Sequence, residues 1–230
     1  KATGRGVFVT GREIAEKIGL SIEGAKVAVQ GLGNVGGEAA RLFDKAGAIV
    51  VSVQDHTGTI YKPEGLNIAD LLAHVAKHHG VAGFEGAEVI SDEDFWGIDM
   101  DIFIPAALEG QITVERAKVL KAKLVLEGAN GPTYPEADDI LNLRNIVVVP
   151  DVVCNAGGVT VSYFEWVQDI ASYFWSEEEI NEKLDRLMIL AVNDVWKMAA
   201  EHDCTMRTAA YILACRRILV ARKERGVFPG

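Results

Sequence analysis

Gly31-Leu32-Gly33-Asn34-Val35-Gly36 has the spacing G-x-G-x-x-G. Residues of this type in this order can lay a polypeptide backbone against a pyrophosphate. The first glycine permits a tight turn, the second a close approach of backbone to phosphate, and the third a close approach of a helix to the preceding strand. The hexapeptide alone is a weak signal, because a plain strand-to-helix turn also collects glycines. Its surroundings strengthen it. Lys26-Val27-Ala28-Val29-Gln30, just before it, is a short apolar run of the kind that forms a buried strand. Asn34 to Ala46 has helical periodicity and stops at Gly47. A helix opening at Asn34 presents free N–H groups and a positive dipole end to an anion. Gly31, Gly33, Asn34, Val35 and Gly36 are therefore candidate dinucleotide contacts.

The next apolar run, Ile49-Val50-Val51-Ser52-Val53, leads to Asp55, about 20 residues beyond the last glycine of the loop. A carboxylate there accepts hydrogen bonds from the adenosine ribose hydroxyls and repels a 2′-phosphate. No Arg or Lys follows closely; His56 and Thr57 are next. The pattern favours NAD over NADP, and NADP stays open through His56 or a more distant basic residue. The competing reading gives Asp55 no task beyond a turn with Thr57-Gly58.

Three further polar segments follow later apolar runs, where ligands of open α/β sheets gather. They are Pro105-Ala106-Ala107, Glu127-Gly128-Ala129-Asn130-Gly131-Pro132 and Asp151 to Gly158. Small residues at Ala106 and Ala107 allow backbone to lie on a ligand; a simple strand stop explains them equally well. Asn130 and Asn155 each carry donors and an acceptor suited to a nicotinamide carboxamide. Either one alone reads better as a turn or cap, but two at strand ends on one side favour ligand contact. Gly157-Gly158 before a helix can form an anion-binding N-terminus. In the helix that follows, Trp166 reads as core, and Glu165 and Gln168 as solvated or interhelical.

These residues need a scaffold that brings strand ends together. Helical patterns cover residues 3–18, 34–46, 67–78, 113–120, 134–143, 157–171, 176–202 and 205–225, with a short helix after Ser91-Asp92-Glu93-Asp94. Strand patterns cover 26–30, 49–53, 89–90, 101–104, 124–126 and 146–149. Near-continuous apolar strands alternating with helices predict an α/β fold: a doubly wound, mostly parallel sheet of Rossmann type with helices on both faces. After Asp151 no strong strand appears. Residues 1–175 form the expected dinucleotide-binding domain and 176–230 an all-helical C-terminal segment, with Ser176-Glu177-Glu178-Glu179 as a capping box at the boundary.

Composition excludes several alternatives. A hydrophobic share of 49% and a charged share of 24% over 230 residues suit a globular chain with a sizeable core. The net charge of -10 repels nucleic acid and anionic membranes, so neither is an expected partner. Cys154, Cys204 and Cys215 are scattered without ligand spacing. That argues against a disulfide framework and a metal site, and for buried free thiols in a reducing cytoplasm. No apolar run is long enough to cross a bilayer, and no signal peptide opens the chain. The start at Lys1 without a Met reads as the middle of a longer protein.

The sequence resembles the cofactor-binding half of the glutamate dehydrogenase family over essentially its whole length. Ala2-Thr3-Gly4-Arg5-Gly6-Val7 is similar to the segment by which the family's chain enters this domain. Gln30 to Gly36 is similar to its nucleotide loop. Ala129-Asn130-Gly131-Pro132-Thr133 and Asn155-Ala156-Gly157-Gly158-Val159 resemble its nicotinamide-side loops. Ser162-Tyr163-Phe164-Glu165-Trp166-Val167-Gln168 is similar to a segment that separates glutamate dehydrogenases from relatives acting on leucine, valine or phenylalanine. The resemblance implies reversible oxidative deamination of L-glutamate to 2-oxoglutarate and ammonia, with hydride passing to NAD. It implies that Thr3, Asn130 and Asn155 touch the nicotinamide end and that Ser162 contacts a substrate carboxylate. It also implies a homo-oligomer, hexameric in the full-length family. In that family a substrate domain precedes this region and supplies the catalytic lysine and aspartate. No lysine of this chain sits in such a motif, so no residue here is a candidate catalyst. The chain is expected to bind dinucleotide without turning over substrate. Two alternatives stand beside this reading: a dehydrogenase for another amino acid, and a non-catalytic dinucleotide-sensing module.

Overall fold

The computed structural model describes residues 1–226. Seven strands, β1 (Lys26–Gln30), β2 (Ile49–Asp55), β3 (Gly58–Tyr61), β4 (Glu88–Ile90), β5 (Ile102–Pro105), β6 (Leu124–Leu126) and β7 (Val147–Val149), form one sheet in the order β4-β3-β2-β1-β5-β6-β7. The pairs β2–β1, β1–β5, β5–β6 and β6–β7 are parallel; β2–β3 and β3–β4 are antiparallel. The order reverses at β1, so β2 lies on one side and β5 on the other. A crevice at such a switch point is where doubly wound sheets hold ligands.

Ten helices surround the sheet among the described residues: α1 (Ala2–Lys17), α2 (Asn34–Lys45), α3 (Ile68–His78), α4 (Asp92–Gly97), α5 (Val114–Val119), α6 (Pro135–Leu143), α7 (Asp151–Cys154), α8 (Gly157–Ala171), α9 (Glu177–His202) and α10 (Met206–Arg225). The two-residue period of the central strands sorts their side chains into two cores. Val27 and Val29, Ile102 and Ile104, and Leu124 and Leu126 join one core with α1, α2, α3, α9 and α10. Ala28, Phe103 and Val125 join the other with α4, α5 and α6, around Phe95, Trp96, Leu120 and Leu141. Alternating apolar faces with no polar side is why these strands read as continuous hydrophobic runs.

The C-terminal helices close over the first core. Val192, Val195 and Met198 of α9 and Met206, Ala209 and Ala210 of α10 are buried there. Leu184 and Met188 pack with Val9 of α1 and Phe164 of α8. A bidentate pair, Arg5 Nε and Nη2 to the two oxygens of Asp185 at 2.6 and 2.7 Å, ties α1 to α9. Ser176 opens α9 with both halves of the capping box: its hydroxyl accepts from Glu179 N–H at 3.2 Å, and the Glu179 carboxylate accepts from Ser176 N–H at 2.8 Å. The last four residues of the segment expected over 176–230 lie outside the described residues.

The structure departs from the sequence reading at several points. β2 runs on to Asp55 and turns through His56-Thr57 into β3, an antiparallel strand absent from the strand patterns. Its segment Gly58-Thr59-Ile60-Tyr61 is too short for alternation to stand out beside the turn. Asp151 to Cys154, read as loop, forms the one-turn helix α7. Pro105 is the last residue of β5 rather than its stop. Of the three thiols only Cys154 is buried; Cys204 is half-buried and Cys215, on α10, is exposed. No described helix is long and apolar enough to cross a membrane.

Candidate functional site

The three glycines of the loop do three different things. Gly31 adopts φ +89°, and a Cβ there would lie 2.7 Å from the Ala106 carbonyl oxygen, so only glycine fits between β1 and the end of β5. A Cβ on Gly36 would overlap the Gly31 carbonyl oxygen, so glycine there lets α2 press onto the turn. Gly33, the N-cap of α2, has neither constraint: its φ is −78°, and a Cβ would meet nothing within 4 Å. It faces open space. No protein atom explains a glycine at that position, whereas a backbone-hugging ligand does.

Gly31 and Gly33 line a cleft of about 1020 Å³ together with Asp55, Ala106 and Ala107. A neighbouring cleft of about 650 Å³ is lined by Thr3, Val35, Ala106, Ala107, Asn130 and Asn155. The two share the Ala106-Ala107-Leu108 segment, so they are arms of one groove crossing the carboxyl ends of the strands at the switch point. Nine of the twelve residues singled out from sequence line this groove: all except Asn34, Gly36 and Ser162. Asn34 is exposed in the first turn of α2, and Gly36 is buried beneath the turn. Ser162 is exposed on α8, where its hydroxyl donates to the Gly158 carbonyl at 3.2 Å, one turn back.

Helix N-termini converge on the shorter arm. α1 approaches α2 because Gly4 has no side chain to strike the Val35 carbonyl, and it approaches α8 through Gly157, whose Cβ would strike the Ala2 carbonyl. The positive dipole ends of α1, α2 and α8 thus point into one region that suits negative charge.

At the longer arm Asp55 is held on both oxygens. Oδ1 accepts from Thr57 N–H at 2.7 Å, and Oδ2 accepts from Val81 N–H at 2.9 Å. It therefore supports the β2–β3 turn as well as facing the groove. Oδ1 also accepts from the Thr57 hydroxyl, so the lone pair left for a ribose hydroxyl is on Oδ2. His56 and His79 also line this arm.

A polar network that sequence reading missed floors the same arm. Gln30 Nε2 donates to Gln54 Oε1 at 2.8 Å and to Gln111 Oε1 at 3.1 Å. Gln54 Nε2 donates to Thr59 Oγ1 at 3.0 Å and also to Asp92 Oδ1. Arg116 Nη2 donates to Asp92 Oδ2 at 3.0 Å, and its guanidinium lies 4.4 Å from the Trp96 ring centroid. Arg116 is thus a basic side chain lining this arm, and it is already paired with Asp92. Gln30 Oε1 is buried without a partner. The available signal was a glutamine directly after the apolar run in each of two strands, Gln30 in β1 and Gln54 in β2.

At the shorter arm Asn155 Nδ2 donates to Asn130 Oδ1 at 2.7 Å. Among the described residues Asn130 Nδ2 and Asn155 Oδ1 take no hydrogen bond, so a donor and an acceptor stand side by side. A carboxamide has the matching acceptor and donor. Behind them Glu127, fully buried at the end of β6, is bound to Arg207 of α10 at 2.7 and 3.0 Å. Arg207 also binds Asp138 at 2.9 and 3.2 Å. Burial by itself lowers the guanidinium pKa; the hydrogen bonds and charges of Glu127 and Asp138 outweigh it and raise the pKa above its ordinary value. Burial, reinforced by the charges of Glu127 and Asp151, likewise pushes the Cys154 thiol far up, against a hydrogen bond from Thr10.

Trp166 is exposed, contrary to the core position expected of it, because it shares the outer face of α8 with Val159, Tyr163 and Ile170. Gln168 is buried as a clasp: Nε2 donates to the Phe164 carbonyl, and Oε1 accepts from Trp175 N–H at 2.6 Å. A separate cavity of about 330 Å³ opens between Asn142, Trp196, Cys204 and Arg207 and contains none of the twelve residues. Among the described residues no group of three His, Cys, Asp or Glu side chains is arranged to hold a metal ion.

Residues 1–226 match the family model described as glutamate/leucine/phenylalanine/valine dehydrogenase. The glutamate dehydrogenase of Thermotoga maritima is 49% identical over the whole of this chain and 55% of its own length. The NAD-specific glutamate dehydrogenase of Clostridioides difficile is 47% identical over 98% of this chain and 55% of its own. A hetero-hexameric glutamate dehydrogenase from Thermus thermophilus, in its leucine-bound form, superimposes with a TM-score of 0.92 at 34% identity, covering 99% of this chain and 54% of that one. The chain spans about half the length of the relatives it matches.

Proposed function

The chain belongs to the glutamate/leucine/phenylalanine/valine dehydrogenase family, and from that premise we propose that it is the cofactor-binding part of an NAD-dependent glutamate dehydrogenase. The observation that carries the proposal is the groove: a glycine with no protein neighbour at Gly33, an acid at Asp55, and a free amide donor and acceptor at Asn130 and Asn155 lie along one continuous path. That path has a pyrophosphate-binding turn at its centre, a ribose acceptor at one end and a carboxamide reader at the other. Bound NAD would supply the hydride acceptor. The protein's own residues orient it: the loop from Gly31 to Gly36 and the start of α2 fix the phosphates, and Asn130 and Asn155 fix the rotation of the nicotinamide ring, with Thr3 beside them.

NAD over NADP follows from Asp55 and from the pairing of Arg116 with Asp92, which leaves that guanidinium partly neutralised. Relatives named NAD-specific support it. Glutamate as the substrate, with Ser162 touching one of its carboxylates, follows from the relatives' names and the segment from Ser162 to Gln168. Residues 1–175 would carry the cofactor and residues 176–230 a helical segment that also braces residues of the first. A homo-oligomer in the cytoplasm belongs to the same proposal; exposed Tyr211, Ile218 and Leu219 on α10 suit an assembled chain. Oxidising an amine also needs a general base at the α-carbon, and none of the groove residues is placed for that work.

The test is glutamate-dependent reduction of NAD, followed by NADH absorbance. The chain alone is expected to give no turnover, and a chimera joining it to the remaining half of the Thermotoga maritima relative is expected to give turnover. A chimera that folds and binds NAD yet oxidises leucine or valine in place of glutamate would move the assignment to another branch of the family. One that binds NAD and oxidises no amino acid would favour the sensing module.

A further inference from the structure

Arg207 is out of place by local criteria. It stands in the first turn of α10, where the helix dipole opposes a cation and where α10 carries no acid to compensate. Its reason must be tertiary. The guanidinium spans two carboxylates in two forks. Nη2 and Nη1 bind Glu127 Oε1 and Oε2 at 2.7 and 3.0 Å, and Nε and Nη2 bind Asp138 Oδ2 and Oδ1 at 2.9 and 3.2 Å. Asp151 Oδ1 lies 3.9 Å from Nη1. Among the described residues no other cation pairs with Glu127.

Glu127 passes this hold on. Its Oε1 accepts from Thr133 Oγ1 at 2.6 Å and its Oε2 from Asp151 N–H at 2.8 Å, so one carboxylate fixes both ends of the loop after β6 and the start of α7. Asp151 Oδ2 then accepts from Gly131 N–H at 2.8 Å, next to Asn130. Asn155, one turn along from Asp151, completes the ring by donating to Asn130. The chain of contacts therefore runs from α10 through Glu127 and Asp151 to the two amides at the shorter arm of the groove. A fully buried carboxylate left without its cation would be strongly unfavourable, so the loop's position depends on a residue 80 positions from Glu127 in sequence.

We propose that Arg207 is a positioning residue for the Asn130–Asn155 pair, holding the nicotinamide-side loops in register through Glu127 and Asp151. This rests on the reading of the groove as a dinucleotide site. Arg207 does not line either arm of the groove; it sets where two amides stand.

The test compares the full chain with Arg207→Met and Arg207→Lys by calorimetric titration with NAD and with ADP-ribose, which lacks the nicotinamide. Amide exchange is measured on each protein without ligand. Arg207→Met is expected to weaken NAD about tenfold, the loss of about one to two hydrogen bonds to the carboxamide, while ADP-ribose changes by less than about twofold. Exchange at Gly131 and Asp151 quickens, and exchange at Gly31 to Val35 does not. Lysine keeps the charge without the fork, so Arg207→Lys is expected to leave NAD weakened. Should Arg207→Met fail to fold, the pair Glu127→Gln with Arg207→Met removes the uncompensated buried charge and carries the same comparison. Equal loss of NAD and ADP-ribose would overturn the proposal by showing a merely structural ion pair, and so would unchanged binding of both. Wild-type chain that binds neither ligand would overturn the groove reading itself, a result distinct from either of those.

Discussion

The Cα of Gly36 lies so near the carbonyl of Gly31 that a methyl group on Gly36 would overlap that oxygen. The tight seat of α2 on the turn after β1 depends on this contact, and the turn in turn needs Gly31 at φ +89°. Gly36→Ala is therefore expected to destabilise the chain by more than about 3 kcal/mol, since neither backbone can move without displacing α2. Denaturant unfolding checks this. A loss below about 1 kcal/mol would mean that the helix shifts easily and that the turn is softer than its geometry implies.

Asp55 supports a turn and faces the groove. Asp55→Asn keeps an oxygen for Thr57 or Val81 and removes the charge that repels a 2′-phosphate. NADP affinity should rise by about tenfold, the equivalent of about 1.4 kcal/mol, with NAD affinity weakened by a smaller factor. Parallel titrations decide; an unchanged ratio of NAD to NADP would leave Asp55 with the turn alone.

Much of this was legible in the sequence, and the reasons differ by residue. The glycine loop, Asp55 and the Asn pair follow apolar runs, so local pattern and the strand-end rule made them candidates, and the structure brings them to one groove. Strand β3 was hidden because four residues inside a hairpin do not show a period. The glutamine network was missed because Gln30, Gln54 and Gln111 meet only through strand order, which places β1 between β2 and β5. Arg207 was missed for the same reason in stronger form: its partners Glu127 and Asp138 come from the loop after β6 and from α6, and no local pattern connects them to α10. Trp166 was misplaced because an aromatic on a helix reads as core until the helix's outer face is known.

The cysteines should differ in reactivity. Cys215 is exposed, Cys204 half-buried, and Cys154 buried with its thiol pKa pushed far up by burial and by the charges of Glu127 and Asp151. An aromatic disulfide reagent at neutral pH is expected to label Cys215 first, Cys204 more slowly, and Cys154 only on unfolding. Fast labelling at Cys154 in folded protein would mean that α1 and α7 separate readily.

Asp101 joins the amino ends of three strands. Its carboxylate accepts from Lys26 N–H at 3.0 Å and from Lys123 Nζ at 2.8 Å. Burial by itself raises its pKa, but the Lys123 and Lys26 hydrogen bonds outweigh burial and hold it below the ordinary 3.8. The unfolded chain thus takes up a proton at higher pH than the folded one. The stabilisation is fully present above the unfolded value and disappears as pH falls through the folded value. Asp101→Asn should lower the melting temperature at neutral pH, and the gap to wild type should close on acidification below about pH 4. A gap that stayed constant across that range would show that the charge of Asp101 contributes nothing.

On the proposed function, the groove across the switch point holds NAD with its pyrophosphate against Gly33. The most direct measurement is calorimetric titration of the chain and of Gly33→Val with NAD and NADP, beside thermal melts of both proteins. A Cβ at Gly33 would meet no protein atom within 4 Å, so the variant should melt within a few degrees of wild type, a difference of about 1 kcal/mol or less. Wild type is expected to bind NAD more tightly than NADP, and Gly33→Val to bind neither. A folded Gly33→Val that binds NAD as well as wild type would contradict the proposed function.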